Sequence, residues 1–189
     1  MLRKILLVIA AAMAALLVWV GLKPPQYNVE RATIIAAAPA DVFAHVYDFE
    51  KWADWSPWAK RDPNAKVTFE GPKAGTGAIM KWSGNDEVGT GAMAMTEANP
   101  PQAIKIRLDF VAPMQGTSNV GFTFQPEGPG TKVTWTIVGQ QGFVERLICT
   151  VMGLDVNAMI GADYETGLAN LKRVVEAAPP AAAAPTPPG

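Results

Sequence analysis

Apolar and polar residues alternate through the middle of the chain. Ala78, Met80 and Trp82 interleave with Ile79, Lys81 and Ser83, and Ile104, Ile106, Leu108 and Phe110 interleave with Lys105, Arg107 and Asp109. Val120, Phe122 and Phe124 alternate with Asn119, Thr123 and Gln125, and Val133, Trp135 and Ile137 with Thr134 and Thr136. A period of two puts one set of side chains on each face of a strand. One greasy and one wet face predict an antiparallel sheet covered on one side. Gly71-Pro72, Gly84-Asn85, Asn99-Pro100-Pro101 and Gly128-Pro129-Gly130 separate the runs, a spacing that suits consecutive hairpins. Gly89 and Gly91 predict a bulge or bend. Upstream, Val29 to Ala36 reads as a first strand. Pro39 then opens a short helix carrying Val42, Phe43, Val46 and Tyr47, and a second helical turn carries Trp52 and Trp55 before Ser56-Pro57 ends it. Downstream, Val156, Ile160, Tyr164, Leu168, Leu171 and Val175 recur every three or four residues within one helical pattern from about Phe143 to Ala178. That stripe is expected to cover the sheet's greasy face, which makes the fold class α+β.

The two ends differ from this domain. Arg3 and Lys4 precede an uncharged run from Ile5 to Leu22, about 18 residues that would span ~27 Å as a helix. Lys23-Pro24-Pro25 stops it, and Trp19 sits where indole rings favour a membrane interface. The expectation is a single-pass anchor over residues 1–25, its positive N-terminus cytoplasmic and the domain on the outer, periplasmic or extracellular, side. A cleaved signal peptide is the rival reading, since Ala12-Met13-Ala14 forms a small-x-small site; cleavage there would leave Leu16 to Val20 as a greasy stub. Residues 26–178 form the predicted domain. Residues 179–189, rich in proline and alanine and free of charge, are expected to be disordered.

Composition removes several functions. Net charge is -1 with charged residues at 17%, and no basic stripe is present to neutralise phosphates, so nucleic acid is not an expected partner. One cysteine, Cys149, and one histidine, His45, exclude an intrachain disulfide and a Cys/His zinc site; no cofactor or metal is expected. Six tryptophans and eight methionines suit either an apolar cavity or an ordinary aromatic core. Gly75-Thr76-Gly77 lacks the Lys-Ser/Thr pair of a phosphate loop and reads as turn chemistry.

The domain resembles the START-like, or SRPBCC, superfamily, and within it the membrane-anchored polyketide cyclase/dehydrase-like proteins. The resemblance lies in Ala38-Pro39-Ala40-Asp41-Val42-Phe43 at the helix entry and in Asp48, Trp52 and Trp55-Ser56-Pro57-Trp58 after it. It continues in Gly75-Thr76-Gly77, Trp82-Ser83-Gly84 and Gly89-Thr90-Gly91, in Gly130 to Trp135, and in Gly161 to Leu168 with Leu171-Lys172. It implies a helix-grip fold, a curved antiparallel sheet wrapped around a long C-terminal helix, with two short helices after the first strand. It also implies an apolar cavity between sheet and helix, but no single reaction.

The expected cavity residues are Trp52, Trp55 and Trp58 at its mouth, and Met80, Trp82, Phe110, Phe122 and Trp135 on the inward sheet face. Met159, Gly161 and Gly167 join them from the last helix. Each has a plainer reading. The tryptophans can be core, and the glycines can mark close helix–sheet packing or, at Gly153, a kink. Catalytic candidates are few. His45 flanks the apolar stripe of its helix, Asp163 and Glu165 point to different sides, and Lys105, Arg107 and Asp109 lie on the wet face. Arg146 and Glu145 could edge the pocket. The leading expectation is a membrane-anchored domain binding a small hydrophobic ligand, lipid or isoprenoid-like. The alternatives are a cyclase- or dehydratase-type enzyme and an interaction module with a closed core.

Overall fold

The structure, a computed structural model, describes residues 1–178; the proline-rich segment 179–189 lies outside the described residues. Helix α1 (Leu2–Leu22) leads through Lys23-Pro24-Pro25 into strand β1 (Gln26–Ile35). Helices α2 (Pro39–Tyr47) and α3 (Trp52–Trp55) follow, then strands β2 (Lys66–Glu70), β3 (Ile79–Ser83), β4 (Thr90–Asn99), β5 (Ala103–Ala112), β6 (Gly116–Glu127) and β7 (Gly130–Gln140). Helices α4 (Phe143–Met152) and α5 (Val156–Ala177) close the chain. The seven strands form one antiparallel sheet in the order β1-β7-β6-β5-β4-β3-β2. Six of them are consecutive hairpin partners, as the breaker spacing predicts, and β1 is added beside β7. The register slips between Thr90 and Gly91, where the glycines predict a bend.

The expected single C-terminal helix is two helices. Gly153 adopts a left-handed φ of 66°, which ends α4. The Asp155 carboxylate then accepts from the N–H groups of Asn157 (2.9 Å) and Ala158 (3.2 Å) and caps α5. Gly153 is therefore a helix stop and carries no helix-interior penalty. Strand β2 is an element that the alternation did not mark.

Helix α5 packs on β1 and β7 through Tyr164, Leu168, Leu171 and Val175, all buried. Its far end is tied to the chain leaving β1: the Lys172 Nζ donates to the Ile34 carbonyl (2.9 Å), and the Ala36 N–H donates to the Glu176 carboxylate (2.8 Å). Helices α2 and α3 cover the adjacent part of β6 with Phe43, Trp52 and Trp55. The indoles of Trp52 and Trp55 donate to the Val46 and His45 carbonyls at 3.0 and 3.1 Å, which fixes the rings under α2. A row of directly opposed side chains, Val29, Ile137, Val120, Ile106 and Met95, crosses five strands and is buried throughout.

Helix α1 stands apart from this core. It is 21 residues long with a mean hydropathy of 2.8 in its most apolar window, and its side chains are almost all exposed. Its length and composition suffice to cross a bilayer core.

Candidate functional site

The concave face of the sheet divides into a closed half and an open half. In the closed half, four of the expected cavity residues, Trp52, Trp55, Phe122 and Trp135, touch one another and have essentially no exposed surface. Trp135 stacks on Phe122 (4.9 Å between ring centres) and on Tyr164 of α5 (3.8 Å). These rings fill the space under α5. The Trp135 Nε1–H is buried without a partner, a group that costs roughly 1–3 kcal/mol when unsatisfied. Burial pushes the Tyr164 hydroxyl well above the ordinary tyrosine range, and Tyr27 adds to the shift, so Tyr164 stays protonated in the folded protein.

The two helix glycines lie in this half and differ in what they touch. A Cβ on Gly167 would sit 2.7 Å from the Trp135 ring and 3.1 Å from Pro57, both held in the core. A Cβ on Gly161 would meet the Arg31 guanidinium, the free end of a long side chain. Gly167→Leu is therefore expected to lower stability by about 1–3 kcal/mol through overpacking, partly offset by the helix propensity gained. Gly161→Leu displaces the Arg31 guanidinium, which can give way more readily than the Trp135 ring, and is expected to cost less than Gly167→Leu. Thermal melts of the two variants should differ in that order, and equal melting temperatures would contradict the packing described.

The open half lies on β2 to β5, towards the end of the sheet at which β1 begins. Phe69, Met80 and Met93 oppose one another across β2, β3 and β4, and Val67, Trp82 and Phe110 line the next row, with Gly91 between Trp82 and Phe110. None is covered by α5. Val67 and Phe69 are nearly half exposed, Phe110 is 39% exposed, and Met80, Trp82 and Met93 are half-buried. Trp82 is fixed over Gly91 by an edge-to-face contact with Phe110 (5.7 Å) and by its indole N–H, which donates to the Val88 carbonyl (3.0 Å). Together the six side chains form a shallow apolar trough. Three of them, Met80, Trp82 and Phe110, are among the expected residues. Val67, Phe69 and Met93 are not, although Met93 and Met95 two apart are a period-two signal.

A strap bounds the trough. The Arg61 guanidinium pairs with Asp163 on α5, and the Asp62 carboxylate accepts from the Asn85 N–H (2.7 Å) in the β3–β4 turn. Residues 58–65 thus run from α5 to the far side of the sheet. Trp58 heads this segment, half-buried and edge-on to Trp135 (5.9 Å) and Tyr164 (6.3 Å). Met159 is exposed near the start of α5. Asp163 and Glu165 point to different partners, Arg61 and Arg31, as their spacing predicts. Asp109 is on the outer face, its carboxyl held below the ordinary range by a hydrogen bond from Thr117 and by Arg107. His45 is half-buried, with Nδ1 3.0 Å from the Asp41 carbonyl oxygen.

A separate cleft of about 510 Å³ opens beside the end of α1, between Trp19, Lys23, Tyr27 and the α4–α5 junction. The Lys23 Nζ donates to Thr150 Oγ1 (3.1 Å), and the Arg146 guanidinium donates to the Lys23 carbonyl. Arg146 thus edges this cleft and not the trough. Glu145 serves as a cap, accepting from the Gly142 N–H (2.8 Å).

A seven-stranded antiparallel sheet gripping a C-terminal helix defines the helix-grip class. The family model for polyketide cyclase / dehydrase and lipid transport matches residues 26–176, and the chain belongs to that family. Solved structures agree on the fold. Protein CV1439 from Chromobacterium violaceum is 16% identical with a TM-score of 0.58, over 80% of this chain and 98% of its own. The di-domain ARO/CYC protein BexL from the BE-7585A biosynthetic pathway is 18% identical with a TM-score of 0.59, over 85% of this chain and 53% of its own. Aha1 from Colwellia psychrerythraea, solved as a dimer, is 16% identical with a TM-score of 0.57, over 80% and 97%. No curated protein matches the sequence. Family membership supports a hydrophobic-ligand-binding or cyclase-type domain.

Proposed function

We propose that the protein is a membrane-anchored domain that takes up a small hydrophobic molecule, lipid or isoprenoid-like, on the apolar trough of its sheet. The observation that carries this reading is the uncovered patch of Val67, Phe69, Met80, Trp82, Met93 and Phe110, a contiguous apolar surface on a concave wall with a strap across it. Such a surface favours a greasy guest over water. Trp58 heads the strap beside the trough, and the closed cluster of Trp52, Trp55, Phe122 and Trp135 is the rigid core next to it. The anchor is α1, with Arg3 and Lys4 on the cytoplasmic side and the domain beyond the membrane.

A cyclase-type reaction needs acid and base groups within hydrogen-bond reach of a substrate. On α5, Asp163 is held by Arg61, and Tyr164 is buried and protonated. Binding therefore accounts for more of the geometry than catalysis does.

A fluorescent long-chain fatty acid provides the test, together with mass spectrometry of small molecules that co-purify with the protein. The fatty acid should bind, raise the melting temperature and change tryptophan emission. Trp82→Ala and Met80→Lys should each weaken it about tenfold, equivalent to ~1.4 kcal/mol of lost apolar contact. Unchanged affinity in both variants would remove the trough as the site.

A further inference from the structure

Helix α4 carries an apolar face that nothing among the described residues covers. Val144, Ile148, Val151 and Met152 fall on one side of it, and Val144, Val151 and Met152 are each about two-thirds exposed. Soluble domains rarely leave such a face open, and a helix of this pattern lies naturally at a membrane surface. The opposite side of α4 is fastened to the residue that follows α1. Thr150 accepts from the Lys23 Nζ, Arg146 donates to the Lys23 carbonyl, and Phe143 packs beside Gly21. A helix of 21 residues is ~31 Å long, so a spanning α1 delivers Lys23 to the headgroup level of the bilayer. Trp19, stacked under the Lys23 ammonium at 3.9 Å, is the residue type expected at that depth.

These contacts leave α4 little freedom. Wherever Lys23 is held, α4 is held too. Of its two charged side chains, Arg146 lies on the fastened side, and Glu145, seven residues before Met152 and so at the edge of the open face, turns back to accept from the Gly142 N–H. Leu154 extends the exposed apolar surface past the end of α4.

We infer that α4 lies in the headgroup–acyl boundary of the leaflet from which α1 emerges, with Val144, Ile148, Val151 and Met152 buried in lipid. The inference rests on the anchor reading above and adds a second, peripheral contact that fixes how the domain sits. Its occupant is a lipid surface, argued from continuity with α1.

The test uses the full chain in phosphatidylcholine vesicles. Cys149→Ser provides a cysteine-free background, and an environment-sensitive fluorophore is attached at Val151→Cys, at Val144→Cys in a second protein, and at Ala11→Cys as the anchor control. Lipid-borne quenchers placed just below the headgroups should remove most of the emission from positions 144 and 151, and deeper quenchers should remove that from position 11. Quenching at 11 with water-like, unquenched emission at 144 and 151 would overturn the inference and leave the anchor intact. No quenching at 11 would instead overturn the anchor. Blue-shifted emission at 144 and 151 that lipid quenchers do not touch, and that falls on dilution, would show a second copy on α4 and also overturn the inference.

Discussion

Trp135→Ala should destabilise the domain by about 3–5 kcal/mol, the usual range for removing a large ring from a close-packed core. In a protein of this size that corresponds to a fall in melting temperature of roughly 10 °C. The effect should be large because the indole is enclosed on every side. Phe122 and Tyr164 stack on its faces, Trp55 and Trp58 meet it edge-on, and Gly167 brings the α5 backbone against its rim. No neighbour is free to close the hole, because Trp55 is pinned by its bond to the His45 carbonyl. Trp135→Phe should recover most of the loss, since it keeps much of the ring and removes an N–H that has no partner. Trp82→Ala, in the open trough, should cost far less than Trp135→Ala because water already reaches that ring. Thermal denaturation of the three variants checks the order. Equal losses for Trp135→Ala and Trp82→Ala would mean that the sheet face is not divided into closed and open halves.

Removal of residues 1–25 should make the protein extractable by carbonate and move most of it to the soluble fraction, leaving only the weak peripheral contact of α4. The full chain should survive carbonate extraction, because α1 presents apolar side chains on every side and the domain covers almost none of them. The truncated chain should stay folded, since the sheet, α2, α3 and α5 carry the core and α1 contributes only Val20 to the buried set. Fractionation followed by N-terminal sequencing makes the measurement. A mature protein beginning near Ala15 and free of the membrane would mean that the segment is a signal peptide, and α4 would then lose its tether to the bilayer as well.

The sheet was legible because alternation reports directly which side chains share a face. The strands containing Ile104 to Phe110, Val120 to Phe124 and Val133 to Ile137 all lie where that period puts them. Strand β2 escaped because its five residues offer only Val67 and Phe69 as a repeat, too short to stand out from a loop. The split between α4 and α5 had a signal in Gly153 and Asp155, a glycine stop followed by an aspartate cap, but the apolar stripe runs through both helices and masks it. The site was legible only in part, for a geometric reason. Periodicity tells which face a residue occupies and says nothing of what stands opposite. Phe122 and Phe110 share the same face of the sheet on neighbouring strands. One lies under α3 and the other under no helix, and that depends on where the 48–62 segment passes, which no pattern in β5 or β6 encodes. The uncovered face of α4 follows the same logic, since its spacing would suit a core helix equally well.

Strand β2 closes the sheet at one margin, five residues long, partly exposed along its whole length, and charged at both ends by Lys66 and Glu70. An unpaired strand at the edge of a sheet is a template on which identical copies can add. A short margin with a lysine and a glutamate on it gives an incoming strand few bonds to make and charges to desolvate. The same five residues that leave Val67 and Phe69 uncovered therefore also make this margin a poor template for strand addition.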